Sequence, residues 1–274
     1  MDRYHDWMTA IDRGPQSEEI AEVIRLVCGG ADHQRTMADL FRRIPLPVRG
    51  PVLEVGCATG ETTRLFARMT GGRWPIVGVD PSRTVLAQAV ALTRAASPPL
   101  AATYCQADGA ALPFGEGRFA LVFTARVLQH AVDPSAVLAE MVRVLAPGGT
   151  LLCVEQDLGA CFEAGVPDDL FRRAFADTNP ELARELPAWM RRAGLEVIDV
   201  VPCVWVLREP RVGVEGLRQE FRQRRGTVWP RVAAGVLTEA EAEAYFDAVA
   251  RSAAEGRYLR VIVNLATIAR KPGE

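Results

Sequence analysis

The chain has 274 residues, of which 49% are hydrophobic and 24% are charged, a composition typical of a globular protein that buries a sizeable core. Its formal net charge of -2 and its isoelectric point near 6.0 argue against nucleic acid as the main partner, because phosphate binding relies on a basic surface. Lys271 is the only lysine, which excludes a P-loop lysine or a Schiff-base lysine on the usual patterns.

The first fifty or so residues precede the first predicted strand. They lack the basic start and apolar core of a signal peptide, and the chain has no apolar run of about eighteen residues, so we expect a soluble, cytoplasmic protein without a membrane partner. Apolar periodicity predicts one helix over residues 18–28, capped by Ser17, and a second over residues 33–44. We expect residues 1–48 to form a helical cap, either a mobile lid or a purely structural cover. Three side chains are candidates to close such a lid: Tyr4, His5 and Trp7.

Residues 51–63, P-V-L-E-V-G-C-A-T-G-E-T-T, predict a strand, a glycine turn and a helix. The apolar run is too short for a buried helix, and Gly56 and Gly60 follow it. Glycines are needed where a side chain would block a tight turn or the close approach of a ligand. Because neither G-x-G-x-x-G nor the P-loop pattern is present, the turn predicts a nucleotide site of another kind.

A second apolar run, residues 75–80, ends in Asp80. A carboxylate roughly twenty residues beyond the glycine turn can accept hydrogen bonds from both hydroxyls of a ribose that carries no phosphate. The alternative is that Asp80 caps the helix that begins beyond Pro81, and the two roles are compatible.

A third strand is predicted over residues 101–105, followed by A-D-G-A-A-L-P-F. This order places Asp108 and Gly109 at the carboxyl end of a strand beside the glycine turn, where open α/β sheets bind ligands. The alternative is a surface turn formed by the Asp-Gly pair.

The alternation of strands and helices continues to the end of the chain. A helix capped by Asp133 and opened by Pro134 is predicted between two further strands. The predicted elements are strands over residues 118–124 and 150–154, helices over residues 168–193 with a break at Asn179-Pro180, a sixth strand near residues 193–200, a helical insertion at about residues 209–255 and a last strand over residues 261–269.

In this order, the segments resemble the motifs of the class I S-adenosylmethionine-dependent methyltransferases, of the small-molecule type that includes quinone C-methyltransferases and natural-product tailoring enzymes. The resemblance covers residues 50–157 and rests on E-V-G-C-A-T-G, on Asp80, on A-D-G-A-A-L-P-F and on V-L-A-P-G-G-T-L. Ala58 stands where the family has its middle glycine. The resemblance implies a Rossmann-like α/β fold: a seven-stranded, mostly parallel sheet with helices on both faces and an antiparallel last strand. The methyltransferase domain would be residues 49–274, with the helical lid before it and the helical insertion inside it.

The resemblance also implies S-adenosyl-L-methionine as the cofactor. The residues that would bind it are Glu54, Gly56, Cys57, Gly60, Asp80, Pro81, Asp108, Gly109 and Thr124. Asp80 would bind the ribose and Asp108 the adenine amino group, while the glycine turn would hold the methionyl part. Glu54 would orient the turn or the ammonium group, and Thr124 would face the methionyl part through its carbonyl.

Methyl transfer from a sulfonium needs alignment, exclusion of water and, for a hydroxyl acceptor, removal of a proton. Of the three histidines, His130 is the first candidate for a general base because it follows the fourth strand, and His33 on the cap is the second. Packing or capping is the alternative role for His130. Glu155 and Asp157 are candidates to bind substrate or a divalent ion, or are simply solvated strand ends.

The six cysteines show no metal-ligand spacing and have no neighbouring histidines, so we expect no resident metal and buried thiols in a reducing compartment. We expect a methyltransferase acting on a hydroxyl, amine or carbon of a small-molecule metabolite, in natural-product biosynthesis, and leave a homodimer open. One alternative is a protein of the same fold and cofactor that catalyses a pericyclic cyclisation or a decarboxylation; another is a non-catalytic cofactor-binding regulatory module.

Overall fold

A computed structural model describes residue 12 and residues 17–45, 50–175, 179–210, 213–222 and 228–273. The predicted lid residues Tyr4, His5 and Trp7 lie outside this part of the chain. The strands are β1 (Val52–Val55), β2 (Ile76–Asp80), β3 (Ala102–Gln106), β4 (Phe119–Ala125), β5 (Leu145–Gln156), β6 (Phe162–Glu163), β7 (Glu196–Leu207) and β8 (Arg260–Arg270). The α-helices are α1 (Ser17–Cys28), α2 (Ala31–Arg43), α3 (Glu61–Thr70), α4 (Arg83–Arg94), α5 (Pro134–Val144), α6 (Asp168–Phe175), α7 (Leu182–Arg192), α8 (Gly213–Arg222), α9 (Trp229–Ala233) and α10 (Glu239–Ala254).

The strands form one sheet in the order β3-β2-β1-β4-β5-β8-β6, with β7 paired to β8. Strands β1 to β5 pair in parallel, and β8 is antiparallel to β5, β6 and β7. From β1 the chain builds outward through β2 and β3, then returns to the other side of β1 with β4. The order of the strands therefore reverses between β1 and β4, and ligands of open α/β sheets bind outside the carboxyl ends of the strands at such a point.

The predicted Rossmann-like fold with a mostly parallel sheet is confirmed, with three differences in the strands. The described residues form eight strands instead of seven because the two-residue β6 pairs with the start of β8, beyond the residues of β8 that pair with β5. Strand β7 extends to Leu207 because it pairs with β8 along its full length. Strand β5 begins at Leu145, so the predicted turn A-P-G-G is drawn into the sheet, where Gly148 and Gly149 exchange backbone hydrogen bonds with Lys271.

Helices cover both faces of the sheet. On the face that we call the α2 face, Met37, Leu40 and Phe41 of α2 pack with Phe66 of α3 and with the sheet. On the opposite face, which we call the α7 face, side chains of α5 and α7 make the second core cluster. These contacts make α2 a layer of the core, and the separation of residues 1–48 as a cap stays a prediction.

Side chains alternate between the two faces along β5 and β8. Leu152 and Val154 of β5, with Ala266 and Ile268 of β8, belong to the α2-face cluster. Because side chains of a strand point to opposite faces in turn, the next even-numbered positions, Gln156 and Asn264, lie on the α2 face as well. The odd-numbered positions Glu155 and Thr267 lie on the α7 face.

The insertion between β7 and β8 contains helices α8, α9 and α10, which form an apolar cluster with α6. The capping box predicted by Thr238 and Glu241 is confirmed at the start of α10. At the centre of this region, the buried carboxylate of Glu163 accepts hydrogen bonds from the hydroxyls of Tyr245 and Tyr258, both at 2.7 Å. Among the described helices, none has the length and apolar character that crossing a bilayer would require.

Candidate cofactor and acceptor site

The glycine turn after β1 has a left-handed backbone at three alternate positions. The φ angles are 74° at Gly56, 45° at Ala58 and 76° at Gly60. A non-glycine residue in this region costs about 1 kcal/mol or more, and Ala58 bears that cost. Ala58 therefore keeps the left-handed backbone conformation that a glycine would adopt here, although it departs from the family motif.

The two glycines of the turn also make room for neighbouring side chains. A Cβ atom on Gly56 would overlap the side chain of Val127, and one on Gly60 would overlap the hydroxyl of Tyr104. The sequence predicted glycines for the turn or for the approach of a ligand. In the structure, the side chains that approach the turn closely are Val127, which follows β4, and Tyr104 of β3. Neighbouring parts of the fold therefore require glycine at both positions.

Asp80 joins the end of β2 to the glycine turn. Its Oδ2 accepts a hydrogen bond from the backbone N–H of Ala58 at 2.9 Å, and its Oδ1 accepts one from Ser82 at 3.0 Å. Burial raises the pKa of Asp80 to about 6, although these two hydrogen bonds favour the carboxylate. Ser82 is the N-cap of α4, so the alternative in which Asp80 itself caps that helix is wrong.

Asp12, at the start of the described chain, contacts the same corner, and no local sequence pattern predicts this contact. Its Oδ1 accepts hydrogen bonds from the Ser82 hydroxyl at 2.7 Å and from the N–H of Thr84 at 3.1 Å, and its Oδ2 accepts one from Arg83 at 2.7 Å. Partial burial opposes ionisation, yet these hydrogen bonds lower the pKa of Asp12 to about 2. Asp12 thus satisfies the orphan N–H groups at the start of α4, directly beside Asp80.

Glu54 lies under the turn and contacts α3. Its carboxyl group accepts a hydrogen bond from the hydroxyl of Thr63, and burial raises its pKa to about 8 against that hydrogen bond. Arg64 donates to the carbonyl of Thr59 at 2.8 Å and pairs with Glu61 at 2.6 Å. Of the two roles predicted for Glu54, orienting the turn agrees with its contact to Thr63.

The remaining predicted cofactor residues lie at the same edge of the sheet. The thiol of Cys57 is buried, which raises its pKa well above the usual value. Pro81 accepts a hydrogen bond from Gln106 at 2.9 Å. Asp108 is exposed and accepts a hydrogen bond from the N–H of Ala110 at 2.9 Å, forming the surface turn named as its alternative. Its contact with adenine stays a prediction. A Cβ atom on Gly109 would lie 3.1 Å from Val55 of β1.

Thr124 and Glu155 fix the segment that follows β4. The hydroxyl of Thr124 donates to the carbonyl of Val55 at 2.9 Å, which ties β4 to β1. Glu155 accepts backbone hydrogen bonds from Val127, Leu128 and Gln129 at 3.0–3.2 Å. Burial raises the pKa of Glu155 to about 7 in spite of these bonds.

Two predictions about strand-end carboxylates are corrected by these contacts. Glu155 is not a solvated strand end, because it is fully buried and its carboxylate accepts hydrogen bonds from backbone N–H groups. Asp157 is buried and paired with Arg184 at 2.9 Å. Within the described residues, no group of three or more His, Cys, Asp or Glu side chains is arranged to hold a metal ion.

The two candidate bases lie in different surroundings. His130 ends a short 3₁₀ helix, Leu128–His130, and its Nε2 lies 3.3 Å from the amide nitrogen of Gln129. His33 is buried on α2, with its Nε2 2.9 Å from the Thr62 hydroxyl and its ring 5.8 Å from the ring of Trp205. Thr62 is the second residue of α3, so His33 contacts the helix that the glycine turn opens. The catalytic roles of both histidines stay predictions.

Sequence reasoning missed a polar group on the α2 face, next to this site. Arg126 has a φ of 62°, and its Nη2 donates to Gln156 at 3.3 Å. Asn264 lies directly opposite Gln156 across the β5–β8 pair. One signal was available, since N in the otherwise apolar run R-V-I-V-N-L-A-T-I is unexpected at a buried strand position.

The fold and the site define a class of protein. A doubly wound, mostly parallel sheet with a glycine turn and an acidic strand end at its switch point is a Rossmann-like nucleotide-binding architecture. Residues 52–149 match the family model described as a methyltransferase domain.

Two curated relatives show the extent of the similarity. Methyltransferase GfsG of Streptomyces halstedii is 27% identical over 207 residues, which cover 68% of this chain and 72% of the relative. The ubiquinone/menaquinone biosynthesis C-methyltransferase UbiE of Shewanella frigidimarina is 34% identical over 104 residues, 38% of this chain and 41% of the relative. The chain spans little more than half the length of two other curated relatives, 57% and 54%.

Solved structures share the fold at low sequence identity. The [4+2]-cyclase SpnF has a TM-score of 0.61 and 23% identity, covering 88% of this chain and 82% of its own. Phosphoethanolamine N-methyltransferase 2 of Haemonchus contortus, in complex with S-adenosyl-L-methionine, has a TM-score of 0.58 and 19% identity, covering 97% of this chain and 60% of its own. At these identities the likeness concerns the fold.

Proposed function

We propose that this protein binds S-adenosyl-L-methionine and transfers its methyl group to a hydroxyl, amine or carbon of a small-molecule metabolite. The observation that carries the proposal is Asp80, whose buried carboxylate joins the glycine turn at the point where the strand order reverses. The match to a methyltransferase domain over residues 52–149 supports it.

The residues at the glycine turn fit an adenosine cofactor. Each carboxylate oxygen of Asp80 accepts one backbone hydrogen bond and has a second lone pair for a ribose hydroxyl. The Thr59 hydroxyl is buried in the turn, and no described residue forms a hydrogen bond with it. A buried hydroxyl without a partner is costly, and a bound ligand would relieve that cost.

When bound, the cofactor supplies an activated methyl group on a sulfonium centre. Asp80, Glu54 and the glycine turn would orient the cofactor, by resemblance to the family. Glu155 accepts three backbone hydrogen bonds from the segment after β4. We propose that this anchor keeps His130, the next residue, close to the acceptor. We propose that His130 accepts a proton from the acceptor where the nucleophile is a hydroxyl, and that His33 is the second candidate.

The first experiment is calorimetric titration with S-adenosylhomocysteine, followed by incubation with S-adenosyl-L-methionine and candidate acceptors. We expect binding, and S-adenosylhomocysteine formed in step with methylated product. A protein that does not bind S-adenosylhomocysteine would contradict the proposal. The variant His130→Ala should lower turnover at neutral pH without a change in cofactor affinity, whereas wild-type turnover would assign His130 a structural role.

A second candidate is a reaction of the same fold in which no methyl group is transferred. The similarity to the [4+2]-cyclase SpnF favours it to the extent that a protein with this architecture carries out a cyclisation. Substrate turnover without consumption of S-adenosyl-L-methionine would select this candidate.

The setting of the reaction is part of the proposal. The helices α8 to α10, inserted between β7 and β8, support a specialised acceptor such as a natural product. The net charge of -2 supports a small-molecule partner over nucleic acid. A cytoplasmic location and a homodimer are proposed only as the simplest setting, and light scattering of the purified protein would decide the latter.

A further inference from the structure

Asn264 of β8 is a buried polar side chain for which no described residue supplies a partner. It is 0% exposed, and neither its amide nitrogen nor its amide oxygen forms a hydrogen bond with a described residue. Buried amides are almost always hydrogen-bonded, because desolvation without compensation is unfavourable. An unpaired amide in the middle of an apolar strand therefore points to a ligand as its missing partner.

Two further polar side chains lie beside Asn264 on the α2 face. Gln156 is its direct neighbour across the antiparallel pair, and side chains so paired lie about 5 Å apart on the same face. Gln156 accepts the hydrogen bond from Arg126, whose Nε is buried and has no partner among the described residues. We call these three side chains the oxyanion cluster: Arg126, Gln156 and Asn264.

The guanidinium of Arg126 is held in place without a carboxylate. It lies 5.6 Å from the ring centroid of Trp205, and the Trp205 indole donates to the Thr36 hydroxyl of α2 at 2.9 Å. In the part of the chain that the structure describes, no carboxylate forms an ion pair with Arg126. Gln156 is already paired, since its amide nitrogen donates to the thiol of Cys161 at 3.6 Å. A cation with no counter-charge among the described residues, beside the unpaired amide of Asn264, is suited to bind an anion.

The oxyanion cluster lies at the same carboxyl end of the parallel strands as the glycine turn. Arg126 follows β4, which pairs with β1 directly, whereas Asn264 is on β8, three strands from β1. At about 4.8 Å per strand, Asn264 is roughly 14 Å from β1 in the plane of the sheet. The glycine turn follows β1, so the far side of the cluster lies where a second molecule, the methyl acceptor, would enter.

We propose that the oxyanion cluster binds an anionic oxygen group of the methyl acceptor, a carboxylate or an ionised enol, with Arg126 supplying charge and Asn264 supplying an amide N–H. This inference rests on the proposed function, because it names the acceptor's chemistry. The cluster would recognise the acceptor, whereas one of the histidines would accept the proton.

The experiment measures binding of two matched pairs of probes to the full-length protein saturated with S-adenosylhomocysteine. For the carboxylate, 2-naphthoate is compared with neutral 2-naphthamide; for the enolate, 2-hydroxy-1,4-naphthoquinone is compared with its methyl ether. We expect at least one anion to bind tenfold or more tightly than its neutral partner. If neither anion binds better than its neutral partner, the proposal is wrong.

Three variants assign the binding to the cluster. Asn264→Leu and Arg126→Met should each weaken binding of the preferred anion about tenfold, and Arg126→Lys should retain part of it because it keeps the charge. The affinity for S-adenosylhomocysteine should stay unchanged in all three. Loss of that affinity instead would show that the cluster binds the methionyl carboxylate of the cofactor, and would overturn the proposal.

A control on the same strand separates recognition from folding. Thr267 is also buried, and its hydroxyl has no hydrogen bond to a described residue, but it lies on the α7 face. Both Asn264→Leu and Thr267→Val should raise the melting temperature by about 2 °C or more, because each removes a buried unpaired polar group. Only Asn264→Leu should weaken anion binding. A less stable Asn264→Leu protein with unchanged anion binding would make Asn264 structural and refute the proposal.

The cofactor proposal can fail separately. If the wild-type protein does not bind S-adenosylhomocysteine, the proposed function is wrong, and the same probes titrated into the protein alone still test the cluster. Equal affinity for anions and neutral partners there would contradict the cluster as well.

Discussion

The two halves of the sheet differ in how fully their buried polar groups are hydrogen-bonded. In the half built from β1, β2 and β3, these buried polar groups are paired within the fold: Asp80 with Ala58 and Ser82, Glu54 with Thr63, and Arg64 with Glu61 and Thr59. The Thr59 hydroxyl is the exception in the glycine turn, since it has no hydrogen bond to a described residue. In the half built from β5 and β8, Asn264 and Thr267 are buried without hydrogen bonds to described residues.

The comparison suggests two ways in which a site can bind its ligands. A half whose polar groups mostly satisfy one another is preorganised, and its ligand adds hydrogen bonds chiefly to free lone pairs. A half with unpaired groups is less stable than it could be, and it recovers that free energy only when a ligand binds. We therefore expect the first half to be sensitive to substitutions that remove a paired polar group, and the second half to tolerate apolar replacement at a cost in recognition.

The largest effect is expected for Asp80→Ala. The variant removes the acceptor for the ribose hydroxyls and strands the N–H groups of Ala58 and Ser82. At about 3 kcal/mol for such a loss, the affinity for S-adenosylhomocysteine should fall by roughly two orders of magnitude in calorimetry. The matched control is Asp169→Asn, an exposed carboxylate on α6. An unchanged affinity of Asp80→Ala would refute the ribose assignment and remove the basis of the comparison.

Next in size is Glu155→Gln, at the boundary between the two halves. The amide oxygen can replace one carboxylate oxygen, but the amide nitrogen cannot accept the hydrogen bonds that the other receives from backbone N–H groups. We expect the free energy of unfolding to fall by about 1–3 kcal/mol and methyl transfer to fall more than cofactor affinity. Denaturant titration and steady-state kinetics measure the two effects, with the exposed Glu181→Gln as control. Normal turnover in Glu155→Gln would mean that the segment after β4 does not need this anchor.

The pH dependence of cofactor affinity is a smaller effect. With a pKa near 6, Asp80 loses its charge as the pH falls, and a protonated carboxyl accepts the ribose hydroxyls less well. The affinity for S-adenosylhomocysteine should be constant above about pH 7 and should approach a tenfold loss per pH unit below about pH 6. Asp12, with a pKa of about 2, stays ionised over this range.

Glu54, with a pKa of about 8, stays protonated below pH 7 and so does not account for a loss of affinity in acid. The control is Asp80→Asn, whose weaker binding should show no step near pH 6. A step that persists in this variant would assign the titration to another group.

The smallest effect is expected for Ala58→Gly. This change restores the family's middle glycine and relieves the left-handed conformation of an alanine, and the gain is partly offset by the flexibility of glycine in the unfolded chain. We expect the free energy of unfolding to change by less than about 1 kcal/mol, in the stabilising direction. Ala87→Gly, at an exposed position of α4 with ordinary helical geometry, should instead lose about 1 kcal/mol. If both variants lose stability equally, the strain at Ala58 is negligible.

Much of the cofactor half could be predicted because its signals are local. The strand, turn and helix around Gly56 and Gly60, and the acidic end of β2, each occupy a short stretch of sequence with its own periodicity or turn chemistry. The contact of Asp12 with Ser82 could not be predicted, because the two residues are 70 positions apart in the sequence. No local sequence motif indicates that Asp12 would bind the start of a distant helix. Glu155 was placed correctly at the end of β5, but its burial under the N–H groups of Val127, Leu128 and Gln129 depends on how β4 and β5 pair.

The alternating order of strands and helices, the glycine turn, and Asp80 at a strand end follow from the sequence alone, because they depend on backbone sterics and hydrophobic period over a few residues. The meeting of Arg126, Gln156 and Asn264 on one face depends on the tertiary structure. Arg126 follows β4, Gln156 ends β5 and Asn264 lies within β8, and the antiparallel pairing of β8 with β5 sets the register that brings the last two together. Pairing between strands more than a hundred residues apart is fixed by the packing of the whole core, which no local pattern contains.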